Sequence, residues 1–413
     1  MELLEEMEYI GDVPKGWKWV KLGDAPLNII DGDRGKNYPS NNELKNNGYC
    51  LFLSTKNVKS DGFCFDECQF ITKEKDEALK KGKLKRFDLV FTTRGTIGNV
   101  GYFNSKVKYE NIRINSGMVI IRPDTRSLNP EFNYYIFKFI GKYINSFVSG
   151  SAQPQLPIRD LKEVKIPLPP LPEQKAIAGV LSSIDDKIEL LHRQNKTLEE
   201  MAMTLFRQWF IEPTKDGLPE GWEEVSLGDS DLSKVIPSGI KKFEGFKTYL
   251  ATGDVEGTLV KGGIEITYNN RPSRANMQPE KYSVWFAKKE GVRKLLMFDD
   301  YSNIDKYILS TGFTGLKTTE LSHYYIWCFI LHEDFQDIKD SLVSGSVQPD
   351  IPNEAVLQIF IQRPSDEVLL SFNEKVKPLF TKIQFNTSQI QILEKLRDTL
   401  LPKLMSGEIR VKY

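Results

Sequence analysis

The sequence has few of the residues from which metal sites, disulfide frameworks and hydrolytic triads are built. Its 413 residues include four cysteines and three histidines, and none of the histidines belongs to a Ser/His or Cys/His arrangement. The cysteines are Cys50, Cys64, Cys68 and Cys328. Three lie in the first half of the chain and one in the second, which argues against a disulfide framework and is typical of a reducing compartment. Cys64 and Cys68 could supply half of a zinc site, but no second pair follows them, so no metal is expected.

Long hydrophobic runs and an excess of one charge are also missing. No apolar stretch approaches the roughly 20 residues that cross a bilayer, so no membrane association is expected. The first twelve residues, MELLEEMEYIGD, are acidic and lack the basic start and apolar stretch of a signal peptide, so a cytoplasmic location is expected. The chain carries 56 basic and 56 acidic residues. Overall charge therefore does not by itself indicate a nucleic-acid partner.

Motifs for nucleotide and base chemistry are absent. The sequence contains no GxxxxGK[ST] phosphate loop, which argues against a motor ATPase. It also has no Asn/Asp-Pro-Pro-aromatic tetrapeptide, as found in adenine methyltransferases. Two adjacent carboxylate pairs, Asp185-Asp186 and Asp299-Asp300, are expected to point in different directions and to be solvated. The chain is therefore predicted to have no catalytic site of its own.

What the sequence does contain is the same plan twice. VSGSAQPQLP at 148–157 returns as VSGSVQPDIP at 343–352, a displacement of 195 residues (148 to 343). KGWKWVKLGD at 15–24 returns as EGWEEVSLGD at 220–229, a displacement of 205 residues (15 to 220). Two tandem copies predict two-fold pseudo-symmetry, and duplex DNA is the most common target with a matching shape.

Each copy begins with a module of short, β-leaning runs separated by Gly, Asn and Asp. The modules share faint landmarks: LSTKNV at 53–58 with LATGDV at 250–255, NSGMV at 115–119 with STGFT at 310–314, and Tyr134-Tyr135-Ile136 with Tyr324-Tyr325-Ile326. Residues 14–157 hold 23 basic and 14 acidic residues, a net charge of +9, whereas residues 219–352 hold 15 and 20, a net charge of −5. The first module is therefore the better suited to phosphate.

A proline-punctuated link and a long helical pattern follow each module. The first pattern places apolar residues at alternating steps of four and three if Asn195 is counted, which is a heptad seam. Its positions are Ile177, Leu181, Ile184, Ile188, Leu191, Leu198, Ala202, Leu205 and Trp209. The second seam is Phe372, Val376, Leu379, Ile383, Asn386, Ile390, Leu393, Arg397, Leu400 and Leu404.

The two seams predict an antiparallel coiled coil within the chain. If paired residue numbers sum to 581, every seam position meets another. Asn195 then faces Asn386, and two asparagines that hydrogen-bond each other fix the register. Ile184 against Arg397 is the one poor match. The alternative is two core helices that pack elsewhere.

This order of elements resembles the specificity subunits of type I restriction–modification systems. The resemblance covers essentially the whole chain and depends on GW near each module start, SGSxQPxxP near each module end, and LPPLPEQKAIAGVLSSIDDKIELL opening the first long helix. It implies an α+β fold, with two mixed α/β target recognition domains joined by two long antiparallel coiled-coil helices. It also implies a non-catalytic subunit that binds double-stranded DNA, two methyltransferase subunits and two translocase–nuclease subunits. S-adenosylmethionine, ATP and magnesium would belong to those partners.

On this plan the chain divides into five segments. They are an N-terminal segment at 1–13, target recognition domain 1 at 14–157, a central link and helix at 158–214, target recognition domain 2 at 215–352, and a C-terminal link and helix at 353–413. About 32 helical residues from Ile177 to Trp209 would span about 48 Å. Two readers at that separation predict a bipartite target, whose two unlike halves flank a fixed number of unread base pairs.

Candidate DNA contacts lie in polar, basic and glycine-rich stretches of the modules, because glycine allows close approach and arginine can bind guanine or phosphate. In the first module they are Arg34, Lys36, Thr55, Lys56 and Arg94, the last within TTRGTIGNVG, which resembles a common feature of these recognition domains. In the second they are Lys241, Lys242, Arg271 and Arg274. For any one of these residues the alternative is a solvated loop charge.

Two other functions remain open at this point. One is a stand-alone sequence-specific DNA-binding protein, which would not co-purify with a methyltransferase. The other is a coiled-coil scaffold joining two protein-binding modules, which the net charge of −5 on the second module favours. A scaffold would show no salt-dependent binding to DNA.

Overall fold

The computed structural model describes residues 13–148, 155–343 and 350–412. They fall into two compact units. Unit 1 comprises the residues up to Leu190 together with those from Ile390 on, and unit 2 comprises Leu191–Gln389. The repeated SGSxQP motif, at 149–154 and 344–349, lies outside the described residues. Within the described part of the chain, no helix is long and apolar enough to span a membrane.

Unit 1 contains eleven strands among its described residues. They are β1 (Lys18–Lys21), β2 (Leu27–Asp31), β3 (Cys50–Leu53), β4 (Val58–Lys59), β5 (Gly62–Phe63), β6 (Phe70–Ile71), β7 (Leu89–Thr92), β8 (Val100–Tyr102), β9 (Ile112–Ile114), β10 (Met118–Pro123) and β11 (Lys165–Leu168). Its helices are α1 (Lys73–Ala78), α2 (Pro130–Val148), α3 (Ile158–Glu163) and parts of the long helices α4 (Leu171–Phe206) and α8 (Asp366–Ser406).

Two sheets form the module of unit 1. One has the order β2-β10-β7-β8 and is antiparallel, and the other has the order β6-β3-β9, in which β3 and β9 are parallel. The runs LVFT of β7 and CLFL of β3 are buried at every position, as expected of central strands that are covered on both faces. Strand β1 pairs with β11, which joins the start of the module to the link after it.

Unit 2 contains the strands β12 to β23. They are β12 (Glu223–Ser226), β13 (Ser233–Val235), β14 (Lys247–Leu250), β15 (Val255–Glu256), β16 (Leu259–Val260), β17 (Ile264–Ile266), β18 (Ala275–Met277), β19 (Ser283–Ala287), β20 (Leu295–Phe298), β21 (Tyr307–Ser310), β22 (Phe313–Thr318) and β23 (Phe360–Arg363). Its helices are α5 (His323–Leu331), α6 (Glu333–Ser341), α7 (Asn353–Val356) and the remaining parts of α4 and α8.

The sheets of unit 2 repeat those of unit 1. The order β13-β22-β19-β20 matches β2-β10-β7-β8, the parallel pair β14-β21 matches β3-β9, and β12-β23 matches β1-β11. One element differs: between β17 and β19 unit 2 has strand β18, which pairs with β21, whereas between β6 and β7 unit 1 has helix α1 and a single bridge from Lys83 to Arg113 of β9. The predicted internal repeat and the mixed α/β character of both modules are confirmed.

The LPPLPEQ motif has a structural role at the start of α4. Glu173 is fully buried, and its carboxylate accepts hydrogen bonds from Trp17 Nε1 at 2.9 Å and from Arg410 Nε and Nη2 at 2.9 and 2.8 Å. The Arg410 guanidinium holds the pKa of this carboxyl below its ordinary value. Gln174 accepts a hydrogen bond from the backbone N–H of Asn129 at 2.9 Å. These contacts join both ends of unit 1 to the first turn of the helix.

In unit 1 the two long helices pack antiparallel. Ile177 and Leu181 of α4 share one hydrophobic core with Leu401 and Leu404 of α8. Farther along, Arg397, the predicted poor match, donates from Nη1 to Asp185 Oδ1 at 2.9 Å. Asp185, the residue after Ile184, therefore provides the hydrogen-bond acceptor for Arg397 that Ile184 cannot provide.

In unit 2 the same helices also pair antiparallel. Asn386 Nδ2 donates to Asn195 Oδ1 at 2.9 Å, so the predicted hydrogen bond between the two asparagines is present. The rings of Trp209 and Phe372, another pair whose numbers sum to 581, lie 6.0 Å apart. The part that the asparagines play in selecting the register remains a prediction.

The expectation of solvated carboxylate pairs is wrong for one member of each pair. Asp299 is 2% exposed and accepts hydrogen bonds from Gln384 Nε2 at 2.8 Å and from the Tyr324 hydroxyl at 3.3 Å. Asp185 binds Arg397 and the hydroxyl of Tyr135. The two carboxylates of each pair do point in different directions, as expected. In each pair one of them, Asp185 or Asp299, forms hydrogen bonds that connect the module to a long helix.

Candidate nucleic-acid interface

In unit 1 the predicted DNA-contact residues Thr55 and Arg94 meet at the turn between β9 and β10. The carbonyl of Gly117 in this turn accepts hydrogen bonds from the backbone N–H groups of Thr93 at 2.9 Å and Arg94 at 3.2 Å. A Cβ built on Gly117 would lie 2.9 Å from the Thr55 methyl carbon and 3.9 Å from Arg94 Cβ. Position 117 requires glycine because a side chain there would collide with the methyl group of Thr55. We call Thr55, Arg94 and Gly117 the unit 1 corner.

The glycine-rich loop that carries Arg94 is shaped by its glycines. Gly95 and Gly98 have φ angles of +71° and +91°, which favour glycine. A Cβ on Gly98 would also lie 2.7 Å from the carbonyl oxygen of Gly141 in α2. The Thr92 hydroxyl accepts the N–H of Asn99 at 2.9 Å and closes the loop. These glycines and this hydrogen bond shape the loop so that it places Arg94 at the corner.

The charges at the unit 1 corner differ in how far they are neutralised. Arg34 Nη2 donates to Asp31 Oδ1 at 3.2 Å and lies 3.4 Å from the carbonyl oxygen of Ser116, next to Gly117. Arg94 is half-buried and has no ion-pair partner among the described residues. Its guanidinium can therefore bind a phosphate or the edge of a guanine without first breaking a salt bridge.

The two lysines predicted for unit 1 are placed differently. Lys56 is exposed in the short 3-10 turn Thr55–Asn57, so it lies beside the corner. Lys36 is exposed two residues beyond Arg34, and no contact of its side chain with the corner is present within the described ranges. The structure thus brings Arg34, Thr55, Lys56 and Arg94 together and leaves Lys36 apart.

Unit 2 builds a matching corner around Gly312, in the turn between β21 and β22. A Cβ on Gly312 would lie 3.0 Å from the Thr252 methyl carbon and 3.2 Å from Arg274 Nη2. The carbonyl of Arg274 accepts the N–H of Thr311 at 2.9 Å. Thr252 and Gly312 are the counterparts of Thr55 and Gly117 in the faint landmarks of the sequence. We call Thr252, Arg274 and Gly312 the unit 2 corner.

The arginines of the two corners come from different elements. Arg94 follows strand β7, whereas Arg274 directly precedes β18, a strand for which unit 1 has no counterpart among its described strands. In each module one arginine therefore lies beside the glycine–threonine pair. The two arginines belong to different segments of their modules. Readers of different sequences are expected to differ in this way, with one frame and unlike contact residues.

The other predicted residues of unit 2 lie outside its corner. Arg271 donates to the carbonyl of Tyr268, and its guanidinium lies 4.0 Å from the centre of the Tyr268 ring, so it is partly immobilised. Lys241 and Lys242 are exposed in the loop before β14, and Phe246 in the same loop is 70% exposed. Their role in DNA binding remains a prediction.

Sequence reasoning missed two lysines at the backbone position of Thr93 and Arg94. Lys288 N–H donates to the Gly312 carbonyl at 2.9 Å, as Thr93 N–H does to Gly117. The displacement from residue 93 to 288 is 195, the same as that of the repeated VSGSxQP motif. Adding 195 to the positions of TTRG at 92–95 gives AKKE at 287–290, which contains both lysines. The two tetrapeptides share no residue, so similarity of sequence alone does not reveal the match.

Among the described residues, no three histidine, cysteine, aspartate or glutamate side chains are grouped so that they could hold a metal ion. The charged and hydrogen-bonding groups that converge at the two corners are guanidinium, ammonium, hydroxyl and backbone amide groups. Such groups bind phosphate oxygens and base edges. The groups at the two corners are therefore chemically suited to contact a nucleic acid.

Comparison with known proteins agrees with this architecture. Residues 14–200 match the sequence model of the type I restriction modification DNA specificity domain. The chain is 30% identical to the type I restriction enzyme MjaIX specificity subunit of Methanocaldococcus jannaschii, with 98% of this chain and 96% of the relative covered. It is 23% identical to the type I restriction enzyme HindI specificity subunit of Haemophilus influenzae, with 95% and 99% covered.

A solved structure supports the fold. The crystal structure of the S subunit of a type I restriction–modification system from M. genitalium superposes with a TM-score of 0.58, covering 96% of this chain and 97% of that chain at 17% identity. With two units of one strand order, two long helices and relatives matched over nearly their full length, the chain belongs to the specificity subunits of type I restriction–modification enzymes.

Proposed function

We propose that each unit reads one half of a bipartite DNA target through its corner, and that the chain has no catalytic activity. The observation that supports this most directly is the repetition of a glycine–threonine corner with an adjacent arginine in both units. Two copies of one frame with different contact residues suit two unlike half-sites. The long helices would set the number of unread base pairs between them.

The partners that suit such a chain are enzymes. We propose that it binds two methyltransferase subunits to form a modification enzyme, and two translocase–nuclease subunits in addition to form the restriction enzyme. S-adenosylmethionine, ATP and magnesium would then be bound by those partners, because this sequence lacks the phosphate-loop and methyltransferase motifs. A cytoplasmic location would give the complex access to chromosomal DNA.

Sequencing of methylated bases in the host genome tests this function. We expect a methyladenine motif of two specific halves around a fixed spacer, and we expect it to vanish when this gene is deleted and to return with the intact gene. A motif that persists after deletion would show that this chain does not direct the methylation. A single continuous motif would show that the two units do not read separate half-sites.

The spacing role has its own test. Insertion of one heptad into each long helix, at paired positions, should lengthen the coiled coil by about 10 Å. The spacer of the methylated motif should grow by roughly three base pairs, while both halves stay unchanged. An unchanged spacer would contradict the proposal.

A further inference from the structure

We propose that Lys289 contacts DNA in unit 2 from the position that Arg94 occupies in unit 1, and that the buried Lys339 is a positioning residue for it. The inference deepens the proposed function and depends on it, since it assumes that unit 2 reads DNA. Neither lysine stands out in the sequence. Three features of unit 2 support the assignment: its backbone geometry equals that of unit 1, the charge of Lys289 is available, and the ammonium group of Lys339 is buried.

The two units form the same backbone hydrogen bond to the corner glycine. In unit 1 the Gly117 carbonyl accepts the N–H of Thr93 at 2.9 Å, and in unit 2 the Gly312 carbonyl accepts the N–H of Lys288 at 2.9 Å. Both donors follow directly on a central strand of the four-stranded sheet, β7 or β19. Arg94 and Lys289, the residues after these donors, therefore lie at the same backbone position relative to the corner glycine.

The frame is also the same on the opposite side, where the chain returns after the repeated motif. Leu156 N–H donates to the Thr93 carbonyl at 2.9 Å, and Ile351 N–H donates to the Lys288 carbonyl at 3.0 Å. Single antiparallel bridges then pair Arg94 with Gln155 and Lys289 with Asp350. With the backbone held on both sides in the same way, the Arg94 and Lys289 side chains leave it from equivalent points.

Lys289 has a charge that is available for a ligand. Its side chain is exposed, and no carboxylate lies within ion-pair distance of its ammonium group among the described residues. Lys294, close by in sequence, is instead committed to the protein, because its Nζ donates to the Thr252 carbonyl at 2.6 Å. In a module of net charge −5, the backbone of Lys288 and the guanidinium of Arg274 both lie against the Gly312 turn, so Arg274 and Lys289 bring positive charge to this corner beside the acidic Glu290 and Asp350.

The loop after Lys289 is held by a lysine that solvent does not reach. Lys339 is 0% exposed, and its Nζ donates to the carbonyls of Lys289 at 3.0 Å and Val292 at 3.1 Å. The neighbouring carboxylate of Asp340 lies 3.1 Å from that Nζ and accepts the N–H of Gly291 from both oxygens at 3.2 Å. Burying an ammonium group is costly unless its hydrogen bonds are made, and here they fix the backbone that presents Lys289.

The test uses the full chain in complex with its methyltransferase subunits and a duplex carrying the methylated motif. Variants are Lys289→Ala, Lys289→Arg, Lys339→Met and, as reference, Arg94→Ala. Lys234→Ala is the matched control, because Lys234 is an exposed lysine on β13 of the same sheet. It pairs with Lys317, five residues beyond Gly312 along β22, which is about 17 Å from the corner at ~3.4 Å per residue.

We expect Lys289→Ala to weaken binding about 10-fold and Lys289→Arg to stay within about 3-fold of the parent, as suits loss or retention of one charge-assisted contact. The slope of log affinity against log salt should fall by about 0.9 for a lost phosphate contact, or discrimination should relax in one half-site only for a lost base contact. Lys339→Met should weaken binding and change the salt slope or the half-site discrimination in the same direction as Lys289→Ala, and it should add no further loss in the Lys289→Ala background, because Lys339 acts only through Lys289. Lys234→Ala should change binding by less than about 2-fold.

The outcomes separate this inference from the function on which it depends. If Lys289→Ala behaves like Lys234→Ala while Arg94→Ala weakens binding, the inference is wrong and the proposed function stands. If the parent complex shows no salt-dependent, sequence-specific binding, the proposed function itself is wrong. If Lys339→Met lowers the melting temperature but binds DNA with parental affinity, its role is structural only.

Discussion

The two units share one strand order but attach their modules to the long helices by different interactions. In unit 1 the attachment is charged. The Tyr135 hydroxyl donates to Asp185 Oδ2 at 2.7 Å, and Arg397 of α8 binds the same carboxylate at 2.9 Å. Lys142 of α2 forms a further ion pair with Asp398 at 3.2 Å.

In unit 2 the attachment is mainly aromatic, beside an ion pair between Lys377 of α8 and Asp300 at 3.6 Å. Phe210 lies with its ring centre 4.5 Å from that of Tyr325 and 4.8 Å from that of Phe372. Tyr324 stacks on Phe380 of α8 at 5.6 Å with an interplanar angle of 4°. All three phenylalanines are buried.

The difference is clearest at one repeated position. Tyr135 and Tyr325 are the second tyrosines of the repeated Tyr-Tyr-Ile landmark, yet unit 1 uses the hydroxyl to bind a carboxylate, whereas unit 2 packs the ring against Phe210. The fold therefore depends on placing a module helix beside the long helices and not on one kind of bond. Charged contacts near the surface weaken with salt and aromatic packing does not, so the units should respond differently to solution conditions.

The largest expected effect is loss of the aromatic packing in unit 2. Phe210→Ala removes a fully buried ring and should cost about 3–5 kcal/mol of the free energy of unfolding of unit 2. Hydrogen exchange should accelerate in β19 and β22 and remain unchanged in β7 and β10. Phe385→Ala, at a ring that is 55% exposed, is the control and should change stability by less than about 0.5 kcal/mol. A loss below about 1 kcal/mol for Phe210→Ala would contradict the aromatic account.

A smaller loss is expected from the charged attachment of unit 1. Arg397→Met leaves Asp185 with only the Tyr135 hydroxyl and should cost about 1–2 kcal/mol, below the cost of breaking a fully buried pair because both side chains are partly exposed. The difference from the parent should shrink in high salt, whereas that of Phe210→Ala should not. Thermal melts in low and high sodium chloride measure this, with Lys187→Ala, at an exposed lysine on α4, as the control. A salt-independent cost would show that packing of the arginine stem, and not its charge, holds unit 1.

Acid should weaken unit 1 through Glu173. Because the Arg410 hydrogen bond lowers the pKa of this carboxyl in the folded state, its contribution is fully present above the ordinary pKa of 4.5 and is lost as pH falls through the lowered value. Glu173→Gln should therefore cost about 1 kcal/mol at neutral pH, and this difference should vanish in acid. Melting temperatures of parent and variant across this pH range test the prediction, and a difference that stays constant with pH would refute it.

An effect of similar size is expected from the asparagine pair. Asn195→Leu deprives the buried Asn386 amide of its acceptor and should cost about 1 kcal/mol. The double variant Asn195→Leu/Asn386→Leu should regain this stability, because neither polar group is then left unpaired, but should lose register specificity. A double-mutant cycle of unfolding free energies gives the coupling. A double variant less stable than both single variants would argue against a register role.

The sequence was informative wherever the repeat or the heptad imposed a period. The seam predicted the meeting of Asn195 with Asn386, because a heptad admits few registers and both asparagines occupy seam positions. The faint landmarks correctly paired Thr55 with Thr252 and Gly117 with Gly312, since each corner excludes a side chain at its glycine.

Other features could not be predicted because they depend on contacts distant in sequence. The partners of Asp185 and Asp299 come from distant segments: Tyr135 on a module helix reaches Asp185 of α4, and Gln384 of α8 reaches Asp299 of the module. The positions of Lys288 and Lys289 follow from strand order, and the contacts of Lys339 that hold their loop come from a helix about 50 residues farther along the chain. Which exposed cations contact DNA depends on the surface as a whole, and Lys36 and Lys241 cannot be separated from solvated charges by sequence alone.

One chimera tests most directly whether the duplicated units read separate half-sites. Residues 14–157 would be replaced by the first module of another specificity subunit, and the methylated motif of the host would then be sequenced. We predict that one half of the motif changes while the other half and the spacer length are retained. A motif in which both halves change, or neither does, would contradict the account.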